Sequence, residues 1–185
     1  VAGHSSSYES SFPVLVGPDL VYSTTNDAFV AKVNAAGTAL VYCGYIGGSS
    51  SDSASAIAVN AAGNAFVVGY TQSTASTIPE TGGPDLTHNG DSDAFIAKVN
   101  ASGSALSYCG YIGGDASDSG YGVAVDGSGA AYITGIATST QTTFPETGGP
   151  DLTHNGGQDA FVAKVNSSGT LVYCGYIGGS ANDNG

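Results

Sequence analysis

Short apolar runs separated by small, polar and glycine-rich segments form the dominant pattern of this chain. "AFVAKV" from Ala28, "ALVYCGYI" from Ala39, "SAIAVN" from Ser55 and "NAFVVGYT" from Asn64 are rich in Val, Phe, Tyr and Ile, and turn-forming residues follow each. β-Branched and aromatic side chains fit a pleated, half-buried surface, so these runs predict strands at about 27–33, 39–46, 55–60 and 65–71. The breaks, "AAG" after Asn60 and "DGSG" from Asp126, supply residues that tolerate the positive φ of tight hairpins. No window carries a sustained apolar stripe of helical period, which makes the class all-β.

The whole pattern recurs. "DAFVAKVN" from Asp27, "DAFIAKVN" from Asp93 and "DAFVAKVN" from Asp159 lie 66 residues apart each time. The same spacing relates Pro13, Pro79 and Pro145, and the "GPDL" runs from Gly17, Gly83 and Gly149; "YCGYIGG" begins at Tyr42 and Tyr108, then at Tyr173 after a one-residue deletion. The expected architecture is therefore a tandem array of four-stranded antiparallel meanders, β-propeller-like blades, with about 2.8 units of 66 residues in the 185-residue chain. Residues 1–26 are expected to hold the end of a preceding unit and a link, 27–92 the first unit, 93–158 the second, and 159–185 the first half of a third. Val1 aligns with Val67 and Ile133 inside a strand, and Gly185 with Ala54, so the aligned chain starts and stops in mid-blade. The expectation is either part of a longer chain or a subunit that closes with its neighbours, its third unit showing an open edge that recruits another strand. "PETGGPDLTHNG", copied letter for letter at Pro79 and Pro145, falls in the link from fourth strand to next first strand and reads first as a long connector between blades.

Charge narrows the partners. Fifteen acidic residues face three Lys and no Arg, a formal net charge of −12. Nucleic-acid phosphates and anionic membranes need clustered cations, so neither is an expected partner. No apolar run approaches the roughly 18 residues of a membrane span. Calcium is the one cofactor that such a surface suits.

The pattern "DAFVAKVN..G.ALVYCGYIGG....D....AIAVN..GNAFVVG.T......P.T.G" resembles the bacterial β-propeller repeat family called SBBP repeats, over nearly the whole chain. That resemblance implies a propeller-like repeat protein, extracellular or at the cell surface, and brings no catalytic residues with it. The Cys in "YCGYIGG" departs from the ordinary small or polar strand residue expected there.

Four sets of side chains carry candidate chemistry. Cys43, Cys109 and Cys174 occupy one position per unit and read as small buried thiols, with disulfides or crosslinks between units or chains as the alternative. Asp52, Asp118 and Asp183 end the "GG...D" loops and, with Asp115, are candidate calcium ligands, although no full calcium loop with its terminal Glu is present; Asp capping its own turn is the competing role. Asp85 with His88, and Asp151 with His154, form a candidate binding pair in each copied loop, where the first unit has Tyr22 in place of the His. Lys32, Lys98 and Lys164 are expected to make structural ion pairs.

Catalysis needs different groups converging on one point, whereas an internally repeated chain presents the same groups again and again. The expectation is a non-enzymatic structural protein that assembles with copies of itself, or with the rest of a longer parent chain, through strand edges and blade faces. The rival expectation is a recognition module binding carbohydrate or calcium at its acidic loop face.

Overall fold

The computed structural model describes residues 1–23 and 25–185. Eleven strands account for its regular structure: β1 (Ala2–Ser5), β2 (Asp27–Val33), β3 (Leu40–Ile46), β4 (Asp52–Val59), β5 (Ala65–Thr71), β6 (Asp93–Val99), β7 (Leu106–Ile112), β8 (Asp118–Val125), β9 (Ala131–Ala137), β10 (Asp159–Val165) and β11 (Leu171–Ile177). The all-β class holds, and every described strand pairing is antiparallel. Among the described residues, no helix is long and apolar enough to cross a membrane.

The strands form three meander sheets in the orders β1-β2-β3, β4-β5-β6-β7 and β8-β9-β10-β11. Each four-stranded sheet thus joins the last two strands of one 66-residue unit to the first two of the next, and the three-stranded sheet joins β1 to the first two strands of the first unit. Strands β10 and β11, expected as an unfinished half-unit, complete the third sheet by pairing with β9. Strands β1, β4 and β8 are the first-strand edges of the three sheets, each paired on one side only.

Local geometry explains the turns. In the β4–β5 hairpin the Asn60 side chain accepts the N–H groups of Ala62 and Asn64 at 3.1 and 3.0 Å, and Gly63 takes φ +83° to close the turn. Asn100 and Gly103 repeat the arrangement between β6 and β7.

The core lies between the sheets. One cluster joins Ala28, Val30, Tyr42 and Ile46 of the first sheet to Val67, Phe95, Ala97 and Val99 of the second. A second joins Phe66, Val68, Ile96 and Ile112 of the second sheet to Ile133, Phe161, Ala163 and Val165 of the third. Period-2 alternation sends neighbouring residues to opposite faces, so Phe66 and Val67 serve different clusters. Burying each Phe contributes about 2–3 kcal/mol. A sheet in such a stack buries each face only against its neighbour, and stability is a nearest-neighbour property.

The copied loop is not a link between sheets. It connects β5 to β6, and β9 to β10, inside one sheet, and lies along that sheet's last strand. Thr81 and Cys109 exchange backbone bonds at 2.9 and 2.8 Å, and Tyr111 N–H donates to the Asp85 carbonyl at 2.8 Å. Thr147, Cys174, Asp151 and Tyr176 repeat the pattern, while Val16, Cys43, Asp19 and Tyr45 hold the first sheet's version. Loop and strand meet glycine on glycine, as at Gly149 and Gly175, because any side chain there would keep the backbones apart. The loop therefore covers an edge that would otherwise invite another strand.

Candidate functional site

The sharpest concentration of buried polar groups sits where the chain leaves one sheet for the next. Asp27 opens β2 and Asp52 opens β4, and Gly47 lies between their carboxylates: a Cβ there would be 2.8 Å from Asp27 Oδ1 and from Asp52 Oδ2. Both aspartates are buried. Asp52 accepts the Gly48 N–H at 2.8 Å, the Ser73 hydroxyl at 2.9 Å and the Thr71 hydroxyl. One junction on, Asp118 accepts Gly114 N–H at 2.8 Å, Ser139 Oγ at 2.6 Å, and the N–H groups of Thr138 and Ser139 at 3.0 and 3.1 Å. These bonds reach from the corner loop to the strand end across it, which fixes the path of the chain out of the sheet.

Burial dominates the titration of these groups. Desolvation raises the carboxyls of Asp27, Asp52 and Asp118 above the ordinary Asp value, opposed by their hydrogen bonds. Among the described residues, Asp93 Oδ2 accepts only the Asn89 N–H at 3.0 Å and its buried Oδ1 has no partner, and burial pushes this carboxyl up to about 7.

The candidate calcium ligands do not converge. Asp52 and Asp118 are spent on the hydrogen bonds just described. Asp183 accepts Gly179 N–H at 2.7 Å, and the exposed Asp115 accepts the Thr143 hydroxyl at 2.7 Å. No group of three or more His, Cys, Asp or Glu side chains suited to a metal ion occurs among the described residues. An open groove of about 310 Å³ at the first junction is lined in part by Asp19, Asp27, Gly47 and Gly48.

In the copied loops, Asp85 accepts Thr87 N–H at 3.0 Å and Asn89 Nδ2 at 3.3 Å, and Asp151 does the same with Thr153 and Asn155, both at 2.9 Å. They cap their own turns. His88 packs edge-on to Tyr111 and His154 to Tyr176, with ring centroids 5.6 and 5.5 Å apart; Tyr22 takes the same place against Tyr45. The interchange of His and Tyr at this position reflects aromatic packing.

Cys43, Cys109 and Cys174 are buried and free, so no disulfide or crosslink joins them here. Desolvation raises all three thiols, Cys109 to about 12. Each lies on the strand that pairs with the copied loop or its first-sheet counterpart, shut away from oxidant and partner thiol alike.

The lysines depart from expectation. Among the described residues, none pairs with a carboxylate. Lys98 Nζ donates to the Ser167 carbonyl at 2.9 Å and lies 5.4 and 5.6 Å from the Phe66 and Tyr108 ring centroids. Lys32 Nζ reaches the Ala101 carbonyl at 3.5 Å, and Lys164 sits over Tyr132 at 4.9 Å. The two carbonyls lie in the hairpin turn of the following sheet, so the lysine spans a junction. Spacing placed the cations in each unit but held no sign that a turn from another unit would lie within reach.

Compared with protein-family models, the chain matches none, and curated proteins offer no match either.

Proposed function

We propose that this is a non-enzymatic, extracellular structural repeat protein of the β-propeller-repeat kind its motifs resemble, which assembles with copies of itself into a ring or fibre. The observation that carries the reading is the use made of the repeated polar and aromatic groups. Asp52, Asp118, Lys32, Lys98, Tyr111 and Tyr176 all join one strand, loop or sheet to the next, as in the Tyr111 and Tyr176 hydroxyls donated to the Ser73 and Ser139 carbonyls at 3.0 Å. Because the copied loops cover the edges of β7 and β11, and residues 15–19 cover that of β3, sheet faces and first-strand edges are the surfaces left for assembly. An acidic, Ser- and Thr-rich surface suits a protein that must stay dispersed outside the cell until it assembles.

Sedimentation velocity of the purified 185-residue chain over a hundredfold concentration range tests this. Species larger than one chain that grow with concentration are expected; a single monomeric species throughout would sink the reading. The groove bordered by Asp19 and Asp27 favours a second reading, recognition of calcium or carbohydrate at the loop end. Calorimetric titration with calcium chloride and with a panel of soluble oligosaccharides tests it, and heats no larger than dilution would remove it.

A further inference from the structure

The two internal junctions are built alike, and each leaves an unfilled counterpart at an outer sheet. Ile46 and Ile112 point at the following sheet and are 0% exposed, whereas Ile177, their equivalent on the third sheet, is 55% exposed. Val99 and Val165 point at the preceding sheet and are 0% exposed, whereas Val33, their equivalent on the first, is 44% exposed. Gly103 and Gly169 sit against Tyr42 and Tyr108 of the sheet before them, while nothing lies within 4 Å of the Cβ position of Gly37. The third sheet's outer face also carries an open, mostly apolar groove of about 310 Å³ bordered by Ala124, Tyr132, Thr134 and Val162.

The polar groups divide the same way. Lys32 and Lys98 reach carbonyls 69 residues on, in the next sheet's hairpin turn, while Lys164 rests on its own sheet's Tyr132. Asp52 is held by the hydroxyls of Thr71 and Ser73; Ser5 and Ser7 stand 66 residues before those two, with Ser7 N–H on Ser5 Oγ at 3.1 Å as Ser73 N–H is on Thr71 Oγ1 at 3.0 Å. Asp183 has the corner bond from Gly179, and among the described residues no hydroxyl reaches it.

We propose that the outer face of the third sheet seats the outer face of the first sheet of a second copy, head to tail, through the Ile, Val, Lys and Asp contacts of the internal junction, without the strand that β4 and β8 supply there and the three-stranded first sheet lacks. Ile177 and Val162 pack against the side bearing Val33, Lys164 takes the carbonyl of Ala35 of the second copy, and Asp183 takes the hydroxyls of its Ser5 and Ser7. This rests on the self-assembly reading and names its surface. A head-to-tail contact is heterologous, so it propagates until the rotation closes a ring or runs on as a filament. Self-repulsion at a net charge of −12 opposes association, which therefore strengthens as salt is raised.

Two face variants test the register. Val33→Glu and Ile177→Glu alter exposed positions, and both are expected to keep the wild-type circular dichroism and melting profile. In sedimentation velocity, each alone is monomeric where wild type assembles, and an equimolar mixture yields dimers and nothing larger, because one intact face of each kind remains. Lys164→Ala is expected to weaken wild-type association roughly tenfold, the effect of one lost charge-assisted hydrogen bond. If either Glu variant assembles as wild type does, this interface is wrong while the self-assembly reading stands; if wild type stays monomeric at high salt and concentration, both fail. Should a Glu variant misfold, Lys164→Ala decides alone, and unchanged association overturns the proposal.

Discussion

The carboxylate of Asp118 accepts the Ser139 hydroxyl at 2.6 Å, across the corner where the chain passes from β7 into β8. Three backbone N–H groups converge on the same carboxylate, from Gly114, Thr138 and Ser139. One side chain thus ties a corner loop to a strand end, and without it the buried N–H groups of Gly114 and Ser139 would lose their acceptor.

Asp118→Ala is accordingly expected to destabilise the fold by about 2–4 kcal/mol, because several buried donors lose their acceptor at once. Asp115→Ala, which removes one exposed contact with Thr143, should cost less than about 1 kcal/mol. Urea denaturation of both variants checks this, and equal losses would refute the assigned role of Asp118.

The buried aspartates set the pH dependence. Asp93 is raised from 3.8 to about 7, so between those values the folded protein binds more protons than the unfolded chain. Its contribution to stability is fully present below about pH 4 and is lost as pH rises towards 7. Asp27, Asp52 and Asp118 are shifted in the same direction. Asp126, lowered to about 2 by hydrogen bonds led by the Ser128 hydroxyl, acts oppositely and in a different window, stabilising above about pH 4 and losing that contribution towards pH 2. The melting temperature should therefore fall from pH 4 to 7, and Asp93→Asn should flatten that slope while raising stability at pH 7. A wild-type melting temperature that climbs over this interval would contradict the assignment.

Loop and strand touch without room for a side chain at Gly149, where a Cβ would stand 2.5 Å from Gly175 Cα. Gly149→Ala must push two backbones apart and should cost about 2–3 kcal/mol. Gly127, with open space around it, should accept Ala with a change under about 0.5 kcal/mol. Thermal unfolding of the pair distinguishes steric contact from a general intolerance of substituted glycines.

Burial and raised thiol values make Cys43, Cys109 and Cys174 poor nucleophiles in the folded protein. A thiol-specific colour reagent should label none of them under native conditions and three per chain in denaturant. Prompt native labelling would restore the crosslinking role. Cys109→Ser should destabilise by about 1–3 kcal/mol, since a hydroxyl in that site lacks a partner.

Much of this protein was legible in its residues. Strands β2, β3 and β5 fall within one residue of expectation, because alternation along a strand is a local property. The fourth, β4, begins at Asp52 instead of about residue 55; its early residues "DSA" are too polar to signal a strand without the pairing that Thr71, Tyr70 and Gly69 provide. The repeat itself, the all-β class and the candidate residues at equivalent positions also follow from letters alone.

The phase of the repeat does not. A pattern that returns every 66 residues looks the same from any starting point, so it cannot say which four consecutive strands share a sheet. Long-range pairing decided that β5 joins β6 along all seven residues and that the break falls at the two-glycine corner guarded by Asp52 and Asp118. From that one choice follow the copied loop's place along β7 and β11, the burial of the cysteines beneath it, and the reach of Lys98 to another sheet's carbonyl. The residues determined what each unit could form; only packing between units, whose energy comes from contacts far apart in the chain, determined where one sheet ends and the next begins.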